Sequence, residues 1–122
     1  MARIRGRDTS PEKSLRRALR AAGIKFRTYP DLPGRPDIIL LHTKTVIFVH
    51  GCFWHGCPKH YTPPSTRAAF WAKKLETNRA RDRSMAKRLR TLGWRVLTVW
   101  ECQVARDVMH AVKRIERATR RS

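Results

Sequence analysis

Three histidines and two cysteines fall within eleven residues, from His50 to His60. The segment reads His-Gly-Cys-Phe-Trp-His-Gly-Cys-Pro-Lys-His and directly follows four β-prone apolar residues, Val46 to Val49. Imidazoles can transfer protons near neutral pH, and thiolates and imidazoles are the ligands that zinc prefers. The sequence therefore predicts that the end of a buried strand brings acid/base groups and metal ligands to one place.

The cysteines have the spacing of a metal site. A closed set of four ligands is typical of structural zinc, and we expect one here, made of Cys52, Cys57, His60 and Cys102. The first three would wrap one loop around the ion, and Cys102 would attach that loop to a distant strand. The alternative is that the cysteines are buried thiols. With His60 on zinc, His50 and His55 remain for acid/base chemistry.

A carboxylate is expected to lie close to these histidines. Asp37 opens the apolar run Ile38 to Leu41, and a short turn then leads into the strand that ends before His50. In an antiparallel hairpin of these two strands, Asp37 and His50 would share one edge of the sheet. We therefore predict that Asp37 binds a metal, the alternative being a turn or capping residue.

The charge balance of the 122-residue chain limits its partners. It carries 28 lysines and arginines against 9 aspartates and glutamates, a formal net charge of +19, with 41% apolar residues and four tryptophans. A disordered basic tail would lack that apolar content, so we expect one folded domain over residues 1–122. This charge favours nucleic acid as partner over a membrane surface. With no signal-like start and no apolar run of about 18 residues, a soluble cytoplasmic protein is predicted.

Acidic residues in such a basic chain indicate a cation, because a carboxylate alone repels phosphate. Mg²⁺ held by Asp37 would reverse that repulsion and polarise a phosphodiester. His55 could then take a proton from the attacking water, while His50 stabilises charge on the scissile phosphate. These residues predict metal-assisted phosphodiester hydrolysis. The alternative is a zinc-stabilised nucleic-acid-binding module in which the acids and histidines are structural.

The first predicted helix starts with Ser10 as N-cap and Pro11 at the first helical position, and ends at Gly23. Glu12 lies on its inward stripe, three and seven residues before Leu15 and Leu19. The acid could serve the site, or it could simply interact favourably with the helix dipole. A strand from Ile24 to Tyr29 and a turn-rich loop are expected to follow.

A long helix is predicted over residues 66–92, ended by Gly93. Two residues of its inward stripe, Asn78 and Asp82, are polar, so we expect them to be satisfied by the histidine cluster or by a substrate. The full stripe is Trp71, Leu75, Asn78, Asp82, Met85, Leu89 and Leu92. The outer face is basic and would follow phosphates: Arg67, Lys73, Arg79, Arg81, Arg83, Lys87, Arg88 and Arg90.

The remaining segments complete the domain. A strand from Trp94 to Trp100 and a closing helix over residues 104–119 are predicted, with a basic arm at residues 1–8 and a basic tail at 117–122. Phe53 and Trp54 are adjacent in a loop, where both cannot face one small core, so we expect at least one of them to stack on bases. Packing in the core is the alternative for Trp54.

Motifs along nearly the whole chain carry a resemblance to a known family. They include Leu32-Pro33-Gly34-Arg35-Pro36-Asp37, His50-Gly51-Cys52-Phe53-Trp54-His55, Arg81-Asp82-Arg83 and Val99-Trp100-Glu101-Cys102. The chain resembles the very-short-patch repair (Vsr) DNA mismatch endonucleases, which are nicking enzymes on a diverged PD-(D/E)xK nuclease fold. The resemblance implies an α/β fold with a small mixed central sheet flanked by helices, restriction-endonuclease-like, with a structural zinc site.

The resemblance also implies a reaction and its residues. The reaction would be a Mg²⁺-dependent nick 5′ of the thymine in a T:G mismatch left by deamination of 5-methylcytosine. Asp37 would bind the metal, with the carbonyl of Val49 where the best-known members have threonine. The other implied site residues are His55, His50, Asn78, Asp82 and Glu12 for catalysis, Phe53, Trp54 and Trp71 as a wedge in the DNA, and Cys52, Cys57, His60 and Cys102 on zinc.

Two features of this function stay open at the level of sequence. One is specificity, because a nuclease with the same site and no preference for T:G would be a broader nicking or restriction-type enzyme. The other is assembly, for which the expectation is a monomer acting on double-stranded DNA, with mismatch-repair proteins as further partners.

Overall fold

The computed structural model describes residues 9–51 and 63–120. In this part of the chain the elements are α1 (Ser10–Ala21), β1 (Arg27–Thr28), β2 (Ile38–Leu40), β3 (Thr45–His50), α2 (Ala68–Thr91), β4 (Arg95–Trp100), α3 (Glu101–Arg106) and α4 (Val108–Arg120). A 3₁₀ turn, Leu41–Thr43, joins β2 to β3. The prediction of an α/β protein is confirmed.

The strands form one mixed sheet in the order β1-β2-β3-β4. The first three strands are antiparallel, and β3 and β4 are parallel, with Thr45 opposite Arg95 and His50 opposite Trp100. A parallel pair needs a long crossover, and α2 lies in that connection. The carboxyl ends of β3 and β4 consequently meet the amino end of β2 at one edge of the sheet. We call this the site edge.

Alternate residues of each strand point to opposite sides of the sheet, so the sheet has two apolar faces. Helices cover both of them. The first face packs against α1, α3 and α4 in a cluster of Leu15, Leu19, Ile38, Leu40, Ile47, Val99, Val104, Ala111, Val112 and Ile115. The second face packs against α2 through Ile39, Val46 and Leu89. The site edge therefore lies where α1 and α2 can both reach it from opposite faces.

The first helix forms as predicted, with one correction at its start. Its N-cap is Thr9 and not Ser10, and the Thr9 carbonyl accepts the N–H of Lys13 at 2.9 Å. The helix ends before Gly23, whose φ of +78° is readily adopted by glycine. The predicted strand from Ile24 to Tyr29 is wrong in extent. Only Arg27–Thr28 pairs with β2, since β2 itself ends at Leu40 before the 3₁₀ turn and the chain turns at Tyr29.

The second helix, predicted over residues 66–92, spans Ala68–Thr91, and Gly93 follows it with a φ of +96°. Its predicted inward stripe is confirmed except at the end. Leu92 is 55% exposed because it is the C-cap residue, where the chain has already left the helix. The other stripe residues are half-buried or buried: Trp71, Leu75, Asn78, Asp82, Met85 and Leu89.

The single closing helix predicted over residues 104–119 is wrong, since the chain forms α3 and α4 there with a break at Asp107. Asp107 has φ −158° and ψ +90°, and its Oδ1 accepts the N–H of His110 at 3.2 Å. This carboxylate therefore starts a new helix. Helix α4 continues to Arg120, into the segment predicted as a basic tail, and the Ala118 carbonyl accepts a hydrogen bond from Arg95. Among the described helices, none has the length and apolar character needed to cross a bilayer.

Candidate active site

Asp37 is attached to β3 at the site edge. Its Oδ2 accepts the N–H of Val49 at 2.7 Å, and its own N–H donates to the carbonyl of Ile47 at 3.1 Å. Hydrogen bonds of its main chain and of its side chain thus both hold the Asp37 carboxyl group next to Val49, the residue before His50. The predicted hairpin is confirmed, and it places Asp37 and His50 at the same edge of the sheet.

A second oxygen, the main-chain carbonyl of Val49, lies on the Asp37 side of β3. In a strand the N–H and the C=O of one residue point to the same side. Because the N–H of Val49 points to Asp37, the carbonyl of Val49 lies on that side of β3 as well. A carboxylate and a main-chain carbonyl are the hard oxygen ligands that Mg²⁺ binds. The donor set therefore fits this ion.

His50 is held between two aromatic rings. Its imidazole centroid lies 5.7 Å from that of Phe48 and 5.4 Å from that of Trp100, the latter in an edge-to-face arrangement at 72°. Phe48 packs in the cluster under α2, and His50 two residues later shares that face of the sheet. The half-buried ring is thereby oriented at the end of β3, on the side of α2.

The polar stripe residues of α2, Asn78 and Asp82, lie at about the same height along the strand direction as the site edge. Leu89 packs with Val46, and the helix runs antiparallel to β3, so earlier helix residues lie closer to the strand's carboxyl end. Asp82 comes seven residues before Leu89, which is about 10 Å along the helix, and His50 comes four residues after Val46, which is about 13 Å along the strand. Asp82 and Asn78, both half-buried, therefore lie at about the height of His50 and beyond. Their predicted contacts with the histidine cluster or with a substrate stay a prediction.

The first half of α2 extends past the sheet. The helix has 24 residues and is about 36 Å long, whereas the six residues of β3 cover about 20 Å. At its start Trp71 is half-buried, and its ring lies edge to face with Phe70 at 5.0 Å. Phe70 is 45% exposed, with the Arg67 guanidinium 4.3 Å from its ring centre. The helix thus presents aromatic and cationic groups beyond the site edge.

Glu12 approaches the site from the other face. It is 4% exposed, as the inward stripe of α1 predicted, and its Oε1 accepts the Tyr29 hydroxyl at 2.7 Å. The Arg16 guanidinium lies 3.7 Å from the same oxygen. The main-chain N–H of Tyr29 donates to the Asp37 carbonyl at 3.1 Å. Tyr29 consequently connects Glu12 on α1 with Asp37 at the start of β2.

The loop before Asp37 is packed directly against α2. Gly34 has a φ of +77°, and a Cβ built on it would lie 2.8 Å from the Cβ of Met85. Only glycine allows this close approach between the loop and the helix. The position of Asp37 therefore depends on α2 as well as on β3.

Several predicted site residues lie outside the described part of the chain. These are Cys52, Phe53, Trp54, His55, Cys57 and His60. The fourth predicted zinc ligand, Cys102, is a half-buried residue in the first turn of α3. Across residues 9–51 and 63–120, no three His, Cys, Asp or Glu side chains are grouped so as to hold a metal ion. The zinc site stays a prediction.

Sequence reasoning missed three residues of the site. Arg16 could have been found, since it lies one helical turn after Glu12. Trp100 is opposite His50 only because β3 and β4 are parallel and in this register, which the sequence does not specify. Nothing in the sequence indicated Tyr29 as part of the site. A residue before proline is expected to be extended, whereas this one has a φ of +49°.

The outer surface of α2 is basic, as predicted. Its lysines and arginines are exposed, and they lie on the same helix as Asn78 and Asp82. The exposed residues of this basic face are Arg67, Lys73, Arg79, Arg81, Arg83, Lys87, Arg88 and Arg90.

Comparison with known proteins gives a consistent result. A family model described as DNA mismatch endonuclease Vsr matches residues 1–62, which include Glu12, Asp37 and His50. The chain is 44% identical over 108 residues to the Type II nicking enzyme V.XorIIP of Xanthomonas oryzae pv. oryzae, covering 86% of this chain and 79% of that protein. It is 47% identical over 104 residues to the DNA mismatch endonuclease Vsr of Escherichia coli (strain K12), covering 84% and 67%. The Type II nicking enzyme V.NaeI of Lentzea aerocolonigenes is 39% identical over 110 residues, covering 85% and 66%.

Proposed function

Since the chain belongs to the DNA mismatch endonuclease Vsr family, we propose that it nicks double-stranded DNA 5′ of the thymine in a T:G mismatch by Mg²⁺-assisted hydrolysis. One observation carries the proposal for the site. The Asp37 carboxylate accepts the N–H of Val49, the residue directly before His50, at the site edge. The formal net charge of +19 indicates a phosphate-bearing partner, which a carboxylate alone would repel. A cation bound to the carboxylate would instead bridge it to the phosphate.

The metal ligands of the proposal are Asp37 and the carbonyl of Val49. Both are oxygen donors on the same side of β3, which is the chemistry that Mg²⁺ requires. When bound, the ion would neutralise and polarise the phosphodiester. Glu12, buried on α1 and connected through Tyr29, would contribute a further acid to the site.

Proton transfer is assigned to the histidines. We assign to His55 the removal of a proton from the attacking water, and to His50 the stabilisation of charge on the scissile phosphate. The rings of Phe48 and Trp100 fix His50 without taking its proton, because neither is an acid or a base. Asn78 and Asp82 would orient these imidazoles from α2.

Duplex DNA is the proposed partner. The basic face of α2 supplies cations for phosphates, and the part of α2 that extends past the sheet presents Trp71. Phe53, Trp54 and Trp71 would insert beside the mismatched pair, where unstacking is easiest. The enzyme would act as a monomer, with mismatch-repair proteins as further partners.

Structural zinc completes the proposal, with Cys52, Cys57, His60 and Cys102 as ligands. Cys102 comes two residues after Trp100, and Cys52 comes two residues after His50, the residue paired with Trp100. A zinc ion on this set would attach the segment after β3 to the start of α3. The segment that carries His55 would then have a fixed position.

A broader nicking enzyme is the second candidate, because two of the three relatives named above are described as Type II nicking enzymes. An end-labelled duplex with one T:G pair, and the same duplex with T:A, separate the two. We expect a Mg²⁺-dependent cut beside the mismatched thymine and none in the T:A duplex. Equal cutting of both duplexes would favour the broader enzyme. Salt-dependent binding without any cut would instead indicate a non-catalytic binding module.

A further inference from the structure

Tyr29 donates two hydrogen bonds that join different elements, and its hydroxyl also accepts one from the Arg16 guanidinium at 3.5 Å. Its hydroxyl donates to Oε1 of Glu12 at 2.7 Å, across 17 residues of sequence. Its main-chain N–H donates to the carbonyl of Asp37 at 3.1 Å. One residue thus contacts the acid on α1 through its side chain and the acid at the start of β2 through its backbone.

The backbone of Tyr29 is held in an unfavourable conformation. Its φ of +49° lies in the left-handed region, which a bulky residue rarely adopts, and it precedes Pro30, whose ring disfavours helical conformations at that position. Such a conformation persists only where surrounding contacts determine it. The bonds to Glu12 and Asp37 are contacts of this kind, and they tie the turn after β1 to both acids.

We propose that Tyr29 is a positioning residue that sets the Glu12 carboxylate relative to Asp37 for metal binding. The inference rests on the proposed function, in which Asp37 holds Mg²⁺ and Glu12 adds a further acid. Rotation of the buried Glu12 carboxylate is limited by the Tyr29 hydroxyl, and the Asp37 carbonyl limits the movement of Tyr29. The distance between the two acids is thereby fixed before the metal binds.

The competing explanation is that Tyr29 only satisfies a buried acid. Glu12 is 4% exposed, and an unsatisfied carboxyl group there would destabilise the fold. Arg16, at 3.7 Å from the same Oε1, already contributes to that satisfaction from one turn along α1. A purely structural bond would affect the melting temperature and leave the metal affinity unchanged.

The test replaces Tyr29 by Phe, which keeps the ring and removes the hydroxyl. Thr28→Val is the matched control, because it removes a hydroxyl from the neighbouring exposed residue. Three quantities are measured: the Mg²⁺ concentration for half-maximal nicking of a T:G duplex, the affinity of the DNA-free protein for Mn²⁺ by electron paramagnetic resonance, and the melting temperature. We expect Tyr29→Phe to raise the Mg²⁺ concentration for half-maximal nicking and to lower the Mn²⁺ affinity, each about tenfold, as loss of a ligand-orienting partner does. Thr28→Val should change neither quantity.

A second comparison shows whether the effect passes through Glu12. With Glu12→Gln in place, adding Tyr29→Phe should cause no further loss of Mn²⁺ affinity. Glu12→Asp keeps the charge but shortens the side chain away from the Tyr29 hydroxyl, so it should weaken Mn²⁺ binding even if Tyr29→Phe fails to fold. Unchanged metal readouts in Tyr29→Phe, or equal losses with and without Glu12→Gln, would overturn the inference.

Failure of the proposed function would look different. If the wild type nicks no duplex, the proposed function fails, and the Mn²⁺ affinities alone decide the inference. Mn²⁺ binding that is lost in Asp37→Ala and weakened in Tyr29→Phe would support it. Mn²⁺ binding equal in Tyr29→Phe and the wild type would refute it.

Discussion

At the scale of single residues, the site depends on how main-chain groups hold side chains. The Asp37 carboxylate is fixed by an N–H of the adjacent strand, and the proposed second metal ligand is the carbonyl of that same residue, Val49. A side chain therefore need not be specified at position 49. With a main-chain ligand, valine at this position would still supply the oxygen.

The role of Val49 can be tested by changing its side chain. Val49→Ala should leave the Mg²⁺ dependence of nicking unchanged, because the carbonyl and the N–H are retained. Stability should fall by about 1 kcal/mol, since Val49 is partly buried against the first cluster. Urea unfolding measures the stability, and Mg²⁺ titration of nicking measures the metal. A rise of tenfold or so in the Mg²⁺ requirement would contradict a main-chain ligand.

At the scale of elements, sequence periodicity predicted most of what positions the site. The β2–β3 hairpin follows from two short apolar runs and the inward stripe of α2 from helical apolar spacing, and both place polar residues at the site edge. Two predictions failed for local reasons. The Asp107 carboxylate starts a second helix where apolar spacing alone indicated a single one, and β1 is short because its partner β2 ends at Leu40 and the chain turns at Tyr29.

The residues of the site were predictable to different degrees. Glu12, Asn78 and Asp82 could be proposed from the sequence because each interrupts an apolar stripe, a local signal. The hydrogen bonds of Tyr29 and the ring contact of Trp100 depend on tertiary packing and on strand register. Those features have no local signal, so only the structure shows them.

Packing of the loop before Asp37 against α2 gives a prediction for a matched pair of glycines. Gly34 and Gly23 have nearly equal φ, +77° and +78°, but a Cβ would meet Met85 only at Gly34. Gly23→Ala should therefore cost about 1 kcal/mol for the backbone alone, and Gly34→Ala should cost at least about 1 kcal/mol more. Urea unfolding gives both values. Nicking should fall only in Gly34→Ala, and equal stability losses would contradict the close approach of loop and helix.

At the scale of the whole molecule, charge and shape act together. The sheet and its three smaller helices form the packed body, whereas the first half of α2 extends past the site edge with its basic face exposed. The net charge of +19 attracts any polyanion, but the direction of α2 would lead a duplex across Asp37 and His50. In the proposed function, binding strength and placement of the cut would then have separate structural origins.

The basic face of α2 should dominate the salt dependence of DNA binding. Replacing Lys73, Arg83 and Lys87 together by Gln should flatten the slope of log K against log salt by about 0.9 for each phosphate that the protein no longer neutralises. The matched control makes the same charge change elsewhere, at the exposed residues Lys25, Lys113 and Arg117. Fluorescence anisotropy from low to moderate salt measures both variants. An equal change of slope in the control would show that the α2 face has no special role.

If the Asp37 carboxylate holds the catalytic metal, nicking should depend on it, and a comparison of three rates decides this. The rate of nicking of a T:G duplex with Mg²⁺ is compared for wild type, Asp37→Asn and Asp31→Asn. Asparagine keeps an oxygen that can accept the Val49 N–H, and Asp31 is an exposed acid six residues earlier. We predict a loss of at least about a hundredfold in Asp37→Asn with DNA binding retained, and a wild-type rate in Asp31→Asn. Nicking by Asp37→Asn at the wild-type rate would show that the carboxylate is not required for the reaction.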